Sequence, residues 1–451
     1  MKNKIMRQYM GASPLPAMDR RLGATEAIYH LLDKLYCLNF VVFAEVNGAF
    51  ELGAINRALQ AVQRQKPLLR TRIATIHGEP FFSAVDMADA PLVAQALPLR
   101  NWRTKLAAQL HDPFEGEAPL ARFFWFEGNA ASGGKSVAAM AFHHVIADGK
   151  SGTALLLEVL RRAAGEDIAM QLQAAHPHAQ DLDPITRAGA LAGAVKRLRF
   201  WMGQGKSALL MPQQLPGYDT RLRPARTIKA IPYTLPPKTG AALQAACRVH
   251  ATTVHGALGA AQILAINSEF DAPAARRLAL NSLADLRGVL GGNLGSDDLG
   301  LYIATLITVH SVAVEPDFWH LARDIKAQLT RVMARGDANL IHGVYPKDAV
   351  LGSVSLNAEQ VQVAVNLAPA STMLTNIGKV ESITLKNGTR IRSVAFMVSP
   401  PPQHPICVTV AGYAGSLHLN LLYDQSKMDD TQAARIGNTL TGFIEMAATG
   451  G

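Results

Sequence analysis

The sequence predicts an α/β fold, of the mixed α+β kind, assembled from two halves. At 451 residues the chain outgrows one typical hydrophobic core, so two subdomains are the expectation. Apolar strand-like runs and segments of helical period follow one another on both sides of a break in composition. From about Gly165 to Arg226, residues such as Pro177, Pro184, Gly203, Gly205, Pro216 and Gly217 interrupt any regular pattern. Residues 1–165 and 227–451 are therefore read as N-terminal and C-terminal subdomains, and 166–226 as the crossover between them.

In the first half, Leu38–Asn47 reads as a buried strand closed by Gly48. Leu52, Ile55, Leu59 and Val62 recur at helical spacing, and that helix must end before Pro67. Leu68–Ile73 and Phe81–Val85 pair across a turn at Gly78, followed by a helix near Asn101–Leu110 and a strand near Ala121–Phe126. The crossover holds one predicted helix, Ile185–Met202. The second half restarts with a strand at Thr227–Leu235 and helices at Thr239–Val249 and Thr253–Asn267, the latter apolar nearly all round and so buried. Leu278–Leu283 is strand-like and Trp319–Val332 helical. Asn387-Gly388 suits a hairpin turn between Ser382–Leu385 and Ile391–Val398, because both residues tolerate positive φ. A strand alternating through Leu417, Leu419 and Leu421 precedes a terminal helix capped by Asp429-Asp430-Thr431.

A hydrophobic content of 49% with 18% charged residues suits large cores and excludes global disorder. Cys37, Cys247 and Cys407 are odd in number, far apart and in apolar settings, so they read as reduced core thiols of a cytoplasmic protein. No apolar h-region follows the N-terminal lysines, and no apolar run is long enough to span a bilayer. Forty-four Lys+Arg against 35 Asp+Glu give a net charge of +9, which favours anionic partners: nucleotide phosphates, an acidic carrier protein or anionic lipid. No nucleic-acid motif is present, so no nucleic acid is expected.

The chemistry concentrates in His143-His144-Val145-Ile146-Ala147-Asp148-Gly149, where the apolar run Val137–Phe142 meets a helical pattern from Lys150 onward. A histidine of near-neutral pKa is a natural general base for taking a proton from an alcohol or amine. Adjacent strand residues face opposite sides, so only one of the pair faces a site; His144 is assigned that place and His143 a supporting one. Asp148 reads as fixing the turn, provided a distant cation pairs with it, and Gly149 as permitting a backbone conformation or a close approach. The same residues suit a hydrogen-bonded structural turn. By type His143, His144 and Asp148 also suit a metal, but diverging strand neighbours argue against both histidines binding one ion, so no metal site is expected.

These residues resemble the active-site motif of the thioester-dependent acyltransferase superfamily. It includes peptide-synthetase condensation domains, polyketide-associated acyltransferases, wax-ester synthases, plant acyl-CoA acyltransferases and chloramphenicol acetyltransferase. Val46–Gly48, Leu52–Val62 and Pro67-Leu68-Leu69-Arg70 match its opening segment, Asp285-Leu286-Arg287 through Leu299-Gly300 a later one, and Thr375-Asn376-Ile377-Gly378 its "Ser-Asn-x-Gly" element with Thr for Ser. The plant branch's Asp-Phe-Gly-Trp-Gly is missing. The resemblance implies two chloramphenicol-acetyltransferase-like subdomains forming a pseudo-dimer, with a tunnel between them and His144 midway. It implies that His144 is the base and that Asp148 is structural, bonded to an arginine that Arg287 matches and whose planar fork suits both carboxylate oxygens. Asn376 either donates into the tunnel, toward an oxyanion, or forms a plain turn. Arg70 is read as a solvated or salt-bridged arginine.

The implied activity moves an acyl group from a CoA or carrier-protein thioester to a hydroxyl or amine, without a covalent enzyme intermediate. No tightly bound cofactor is expected; acyl-CoA or a phosphopantetheine-linked acyl group is substrate, and the acceptor is a small or lipid-like molecule. With no carrier or adenylation segment attached, a free-standing, monomeric, ester-forming enzyme is preferred. The alternatives are an amide-forming condensation enzyme and a non-catalytic carrier-binding module; the latter usually loses the second histidine or the glycine, both kept here. Lys196, Arg197 and Arg199 interleave with Leu198, Phe200 and Trp201 in the crossover helix, which suits anionic lipid, an acidic carrier, or plain packing on its own protein.

Overall fold

A computed structural model describes residues 19–114, 119–128, 134–173, 178–182, 210–221, 225–291, 293–336 and 371–450. The crossover helix expected at 185–202, with its basic residues, lies outside them.

The first half is built on β2 (Phe40–Asn47), β5 (Ala94–Pro98), β6 (Ala121–Glu127) and β7 (Lys135–Phe142). Seven of the eight residues of β7, Ser136 to Phe142, are buried, because the strand is covered on both faces. Helices α1 (Ala24–Tyr36), α2 (Leu52–Gln65), α3 (Trp102–Ala108) and α4 (Gly149–Ala163) surround this sheet. Gly152 seats α4 on it: a Cβ there would lie 3.0 Å from Phe40 and 3.1 Å from Phe142. A small sheet of β1 (Arg20–Arg21), β3 (Thr71–Ile76) and β4 (Glu79–Ala84) lies alongside, in the order β1-β4-β3.

The second half holds β8 (Ile228–Leu235), β9 (Arg276–Asp285), β10 (Ile303–Val312), β11 (Thr372–Val380), β13 (Cys407–Tyr413) and β14 (Ser416–Asp424), in the order β10-β9-β11-β13-β14-β8. Helices α5 (Pro237–Val249), α6 (Val254–Asn267), α7 (Phe318–Ala334) and α8 (Asp430–Thr449) cover it. Residues Gly256–Ile266 of α6 are all buried, as an all-round apolar helix requires. Asp429 caps α8 by accepting the Gln432 N–H. No single helix among the described residues is long and apolar enough to cross a membrane.

Strand β12 (Arg390–Val398) departs from a division by chain position. Although it belongs to the second half of the sequence, it pairs antiparallel with β2 at the edge of the first sheet, giving the order β12-β2-β7-β6-β5. Its predicted hairpin partner makes one bridge only, Thr384 to Arg390. The Phe396 carbonyl of β12 accepts Thr409 Oγ1 at 2.6 Å and Asn420 Nδ2 at 3.0 Å, which ties the crossing strand to β13 and β14. The halves are thereby stitched through their cores.

Candidate active site

The two histidines lie just past the strand rather than in it. β7 ends at Phe142, the His143 N–H is taken by the Leu120 carbonyl (3.0 Å), and residues 144–146 form a turn. The side chains diverge as expected, but the turn separates them, not strand alternation. His144 Nδ1 lies 3.0 Å from the Ala147 carbonyl, which can only accept; Nδ1 therefore carries the proton and Nε2 the lone pair. The ring is held edge-on by Tyr29 (5.0 Å between centroids) and tilted by Phe40 (4.8 Å). Burial pushes the His144 pKa below the ordinary imidazole value, while the charge on Asp148 opposes that shift. The resting ring is neutral.

His143 faces the other way. Its Nδ1 accepts the Val145 N–H at 3.3 Å and its Nε2 stands 3.4 Å from Asp33 Oδ2. Burial pushes His30 and His143 down to about 3, helped by Lys34 at His30 and by His144 at His143. Such groups bind protons in the unfolded chain near 6.5 but not in the fold. Their contribution is complete above 6.5 and is lost as pH falls toward 3. Stability accordingly declines already between roughly pH 6.5 and 5, above the carboxylate range. Urea midpoints across that interval check this; a flat midpoint contradicts neutral buried rings.

Asp148 is the N-cap of α4, and its Oδ1 accepts the Ser151 N–H (3.0 Å) and hydroxyl (3.1 Å). Oδ2 accepts the Tyr302 N–H (3.2 Å) from the second half and faces Arg287 Nη1 at 2.9 Å. The distant cation that Asp148 needed is therefore Arg287. The expected fork on both oxygens is corrected: with Oδ1 held by Ser151, Nη1 shares itself between Asp148 and Asp285 Oδ1 (3.1 Å) while Nη2 donates to the Asp298 carbonyl (3.1 Å). Burial opposes the charge on Arg287, yet Asp148 and Asp285 outweigh it and raise the guanidinium pKa. Lys150 reaches Asp285 at 2.8 Å and closes the chain of charges across the halves.

Gly149 serves close approach. A Cβ there would sit 3.0 Å from Ile377 Cγ2 on β11, tighter than the packing allows without movement. Gly149→Ala is expected to lower stability by about 1–3 kcal/mol, as overpacking does. Ile377→Ala in that background restores part of it in thermal unfolding; no recovery contradicts the contact. Asn376 makes the turn and lines the site at once. Its Oδ1 accepts the Gly378 N–H (2.8 Å) at a bulge in β11, an assignment that leaves Nδ2 as the free end beside His144's cavity. Of the two readings of Arg70, solvated or salt-bridged, the solvated one is corrected: it is buried, with Nε on the Gln63 carbonyl (3.1 Å) and the charge of Asp86 acting on it.

Phe40, His144, Gly149, Arg287, Asn376 and Phe396 enclose part of a cavity of about 40 Å³ where the halves meet. It shares Lys150 and Ile377 with an open cleft of about 1000 Å³ of mixed charge, where Lys66 and Arg162 pair with Glu158 and where Arg161, Lys379, Asp297, Asp298 and Glu381 also stand. On the His143 side lies another cavity, of about 690 Å³, bordered by His30, Asp33, Cys37, His111 and Arg226. Sequence reasoning missed Asp33 and the helix carrying it. The signal was a capping glutamate: Glu26 Oε2 accepts the Gly23 N–H at 2.7 Å.

The fold of two α/β halves is shared with solved structures of condensation domains, a polyketide synthase associated protein and an acetyltransferase. Residues 228–422 match the family of the phthiocerol/phthiodiolone dimycocerosyl transferase C-terminus. Polyketide synthase associated protein 5 from Mycobacterium tuberculosis aligns at 14% identity and TM-score 0.69, covering 96% of this chain and 99% of its own. Trichothecene 15-O-acetyltransferase from Fusarium sporotrichioides aligns at 11% and 0.71, covering 95% of each. The epimerization domain from the third module of tyrocidine synthetase B aligns at 14% and 0.67, covering 98% and 99%. No curated protein sequence matches the chain.

Proposed function

We propose that the protein is an acyltransferase that moves an acyl group from a CoA or carrier-protein thioester to a hydroxyl or amine acceptor. The carrying observation is the His144 tautomer: Nδ1 is spoken for by Ala147, so Nε2 is the basic atom in a ring bordering the space between the halves. The acceptor gives its proton to Nε2 as its oxygen or nitrogen bonds to the thioester carbonyl carbon. Collapse of the tetrahedral intermediate breaks the C–S bond, and the imidazolium returns the proton to the departing sulfur. Asn376 Nδ2 is our candidate donor to the oxyanion. No enzyme nucleophile is required, and the working form is taken to be a cytoplasmic monomer.

Lys379, with the partly exposed Lys150 and Arg161, gives the large cleft cations that suit a phosphate of CoA or phosphopantetheine, beside the carboxylates of Glu158, Asp297, Asp298 and Glu381. A relative named as an O-acetyltransferase favours the hydroxyl acceptor. The test incubates the protein with acyl-CoA and acyl-phosphopantetheine thioesters and matched alcohols and amines, following free thiol and product mass. Thiol release coupled to acylated acceptor is expected. Tight carrier binding with no product from any thioester would instead establish a non-catalytic module.

A further inference from the structure

We propose that Asp33 is a positioning residue of this site, acting through His143 to hold the turn that presents His144. The proposal rests on the general-base reading above. Asp33 stands on α1, outside the histidine motif, and is buried with 6% of its surface exposed. Its Oδ1 accepts the Leu38 N–H at 2.7 Å, which fixes the carboxylate, and its Oδ2 faces His143 Nε2. Because His143 Nδ1 accepts from Val145, the proton of this neutral ring sits on Nε2, pointing at Asp33. The chain of contacts thus runs from α1 through the His143 ring to the Val145 backbone, and so into the turn whose Ala147 carbonyl orients His144.

A carboxylate near the C-terminal end of a helix opposes the helix dipole, and burial pushes the Asp33 pKa up, with the Leu38 N–H, His144 and Lys34 only partly offsetting that cost. Folding alone does not favour such a placement. Proton transfer does: when His144 becomes an imidazolium, a fixed negative charge nearby stabilises it. The titratable and charged groups around that ring are Asp33 from α1, His143 beside it in the turn, Asp148 and Lys150 from the start of α4, and Asp285 and Arg287 from the second half, while Lys34 acts on Asp33 itself. Asp33 also borders the cavity of about 690 Å³, so it is not sealed inside a packed core.

Asp33→Asn keeps the volume and removes the charge. The expected result is a kcat lower by on the order of tenfold with little change in KM. The acid limb of kcat/KM should also move to lower pH, since His144 loses a neighbour that favours its protonated form. Asp33→Glu, which keeps the charge, should leave that limb in place. A variant that unfolds more easily but keeps the wild-type kcat and limb would make Asp33 merely structural and overturn the proposal. If Asp33→Asn does not fold, His143→Gln cuts the same chain at its middle, and wild-type kcat there overturns it equally. An active His144→Ala enzyme points instead to failure of the general-base reading. An inactive one beside an unaffected Asp33→Asn removes the Asp33 proposal alone.

Discussion

His144→Ala is expected to lower the proposed transfer rate by on the order of 10²–10⁴-fold, the usual worth of a positioned general base, and to leave the fold intact. The substitution removes the atom that we propose takes the acceptor's proton. What it leaves behind is modest, because the ring already borders a cavity and makes one hydrogen bond, to the Ala147 carbonyl at its own turn. His143→Ala reverses the balance. Its ring joins Asp33 to Val145 with 2% of its surface exposed, so truncation strands a buried carboxylate and costs more stability and less rate. Steady-state kinetics and thermal unfolding of both variants give the comparison. Equal rate losses, or a His144→Ala enzyme of normal activity, would reject the division of labour.

The second large effect is on stability. Asp148 and Arg287 have side chains 1% and 5% exposed and join the two halves at 2.9 Å. Removing one partner of a buried pair costs roughly 3–5 kcal/mol, because the other charge is left without compensation. Asp148→Ala additionally loses the cap of α4, worth about 1 kcal/mol, but leaves Arg287 with Asp285. Arg287→Ala leaves Asp285 with the partly exposed Lys150 and leaves Asp148 with the Ser151 and Tyr302 donors but no cation in contact. We expect both single variants to lower the denaturation midpoint and the rate, and the double variant to lose clearly less than their sum. Strictly additive losses would show that the two side chains are not coupled.

Much of the fold was legible where local pattern and environment agreed. The apolar run of β2, the helical spacing in α2, the all-round apolar α6 and the Asp429 cap all appear where the sequence places them. β10 was missed because its inward positions include Thr308 and His310, which are buried yet polar, so its alternation does not register as hydropathy. β11 was missed because Asn376 and Gly378 read as a turn; the turn is real, but it is a bulge within a strand. The predicted strand at Ile391–Val398 exists, yet nothing local reveals that it pairs with β2.

The sequence by itself supplied the ingredients of the candidate site: a histidine proposed as base, a turn-fixing carboxylate, a glycine where a side chain would obstruct and a candidate distant arginine. The histidine motif concentrates most of them in seven consecutive positions by residue type and spacing, while Arg287 came from the family resemblance. Tertiary structure alone decided the arrangement. The tautomer of His144 depends on which carbonyl its Nδ1 meets, and the grip of Arg287 on which oxygen Ser151 leaves open. The need for Gly149 depends on a strand more than 200 residues away in the chain. Asp33 gains significance only because α1 packs its carboxylate against His143. Such pairings are chosen by packing between segments remote in sequence, and a local pattern carries no record of its partner.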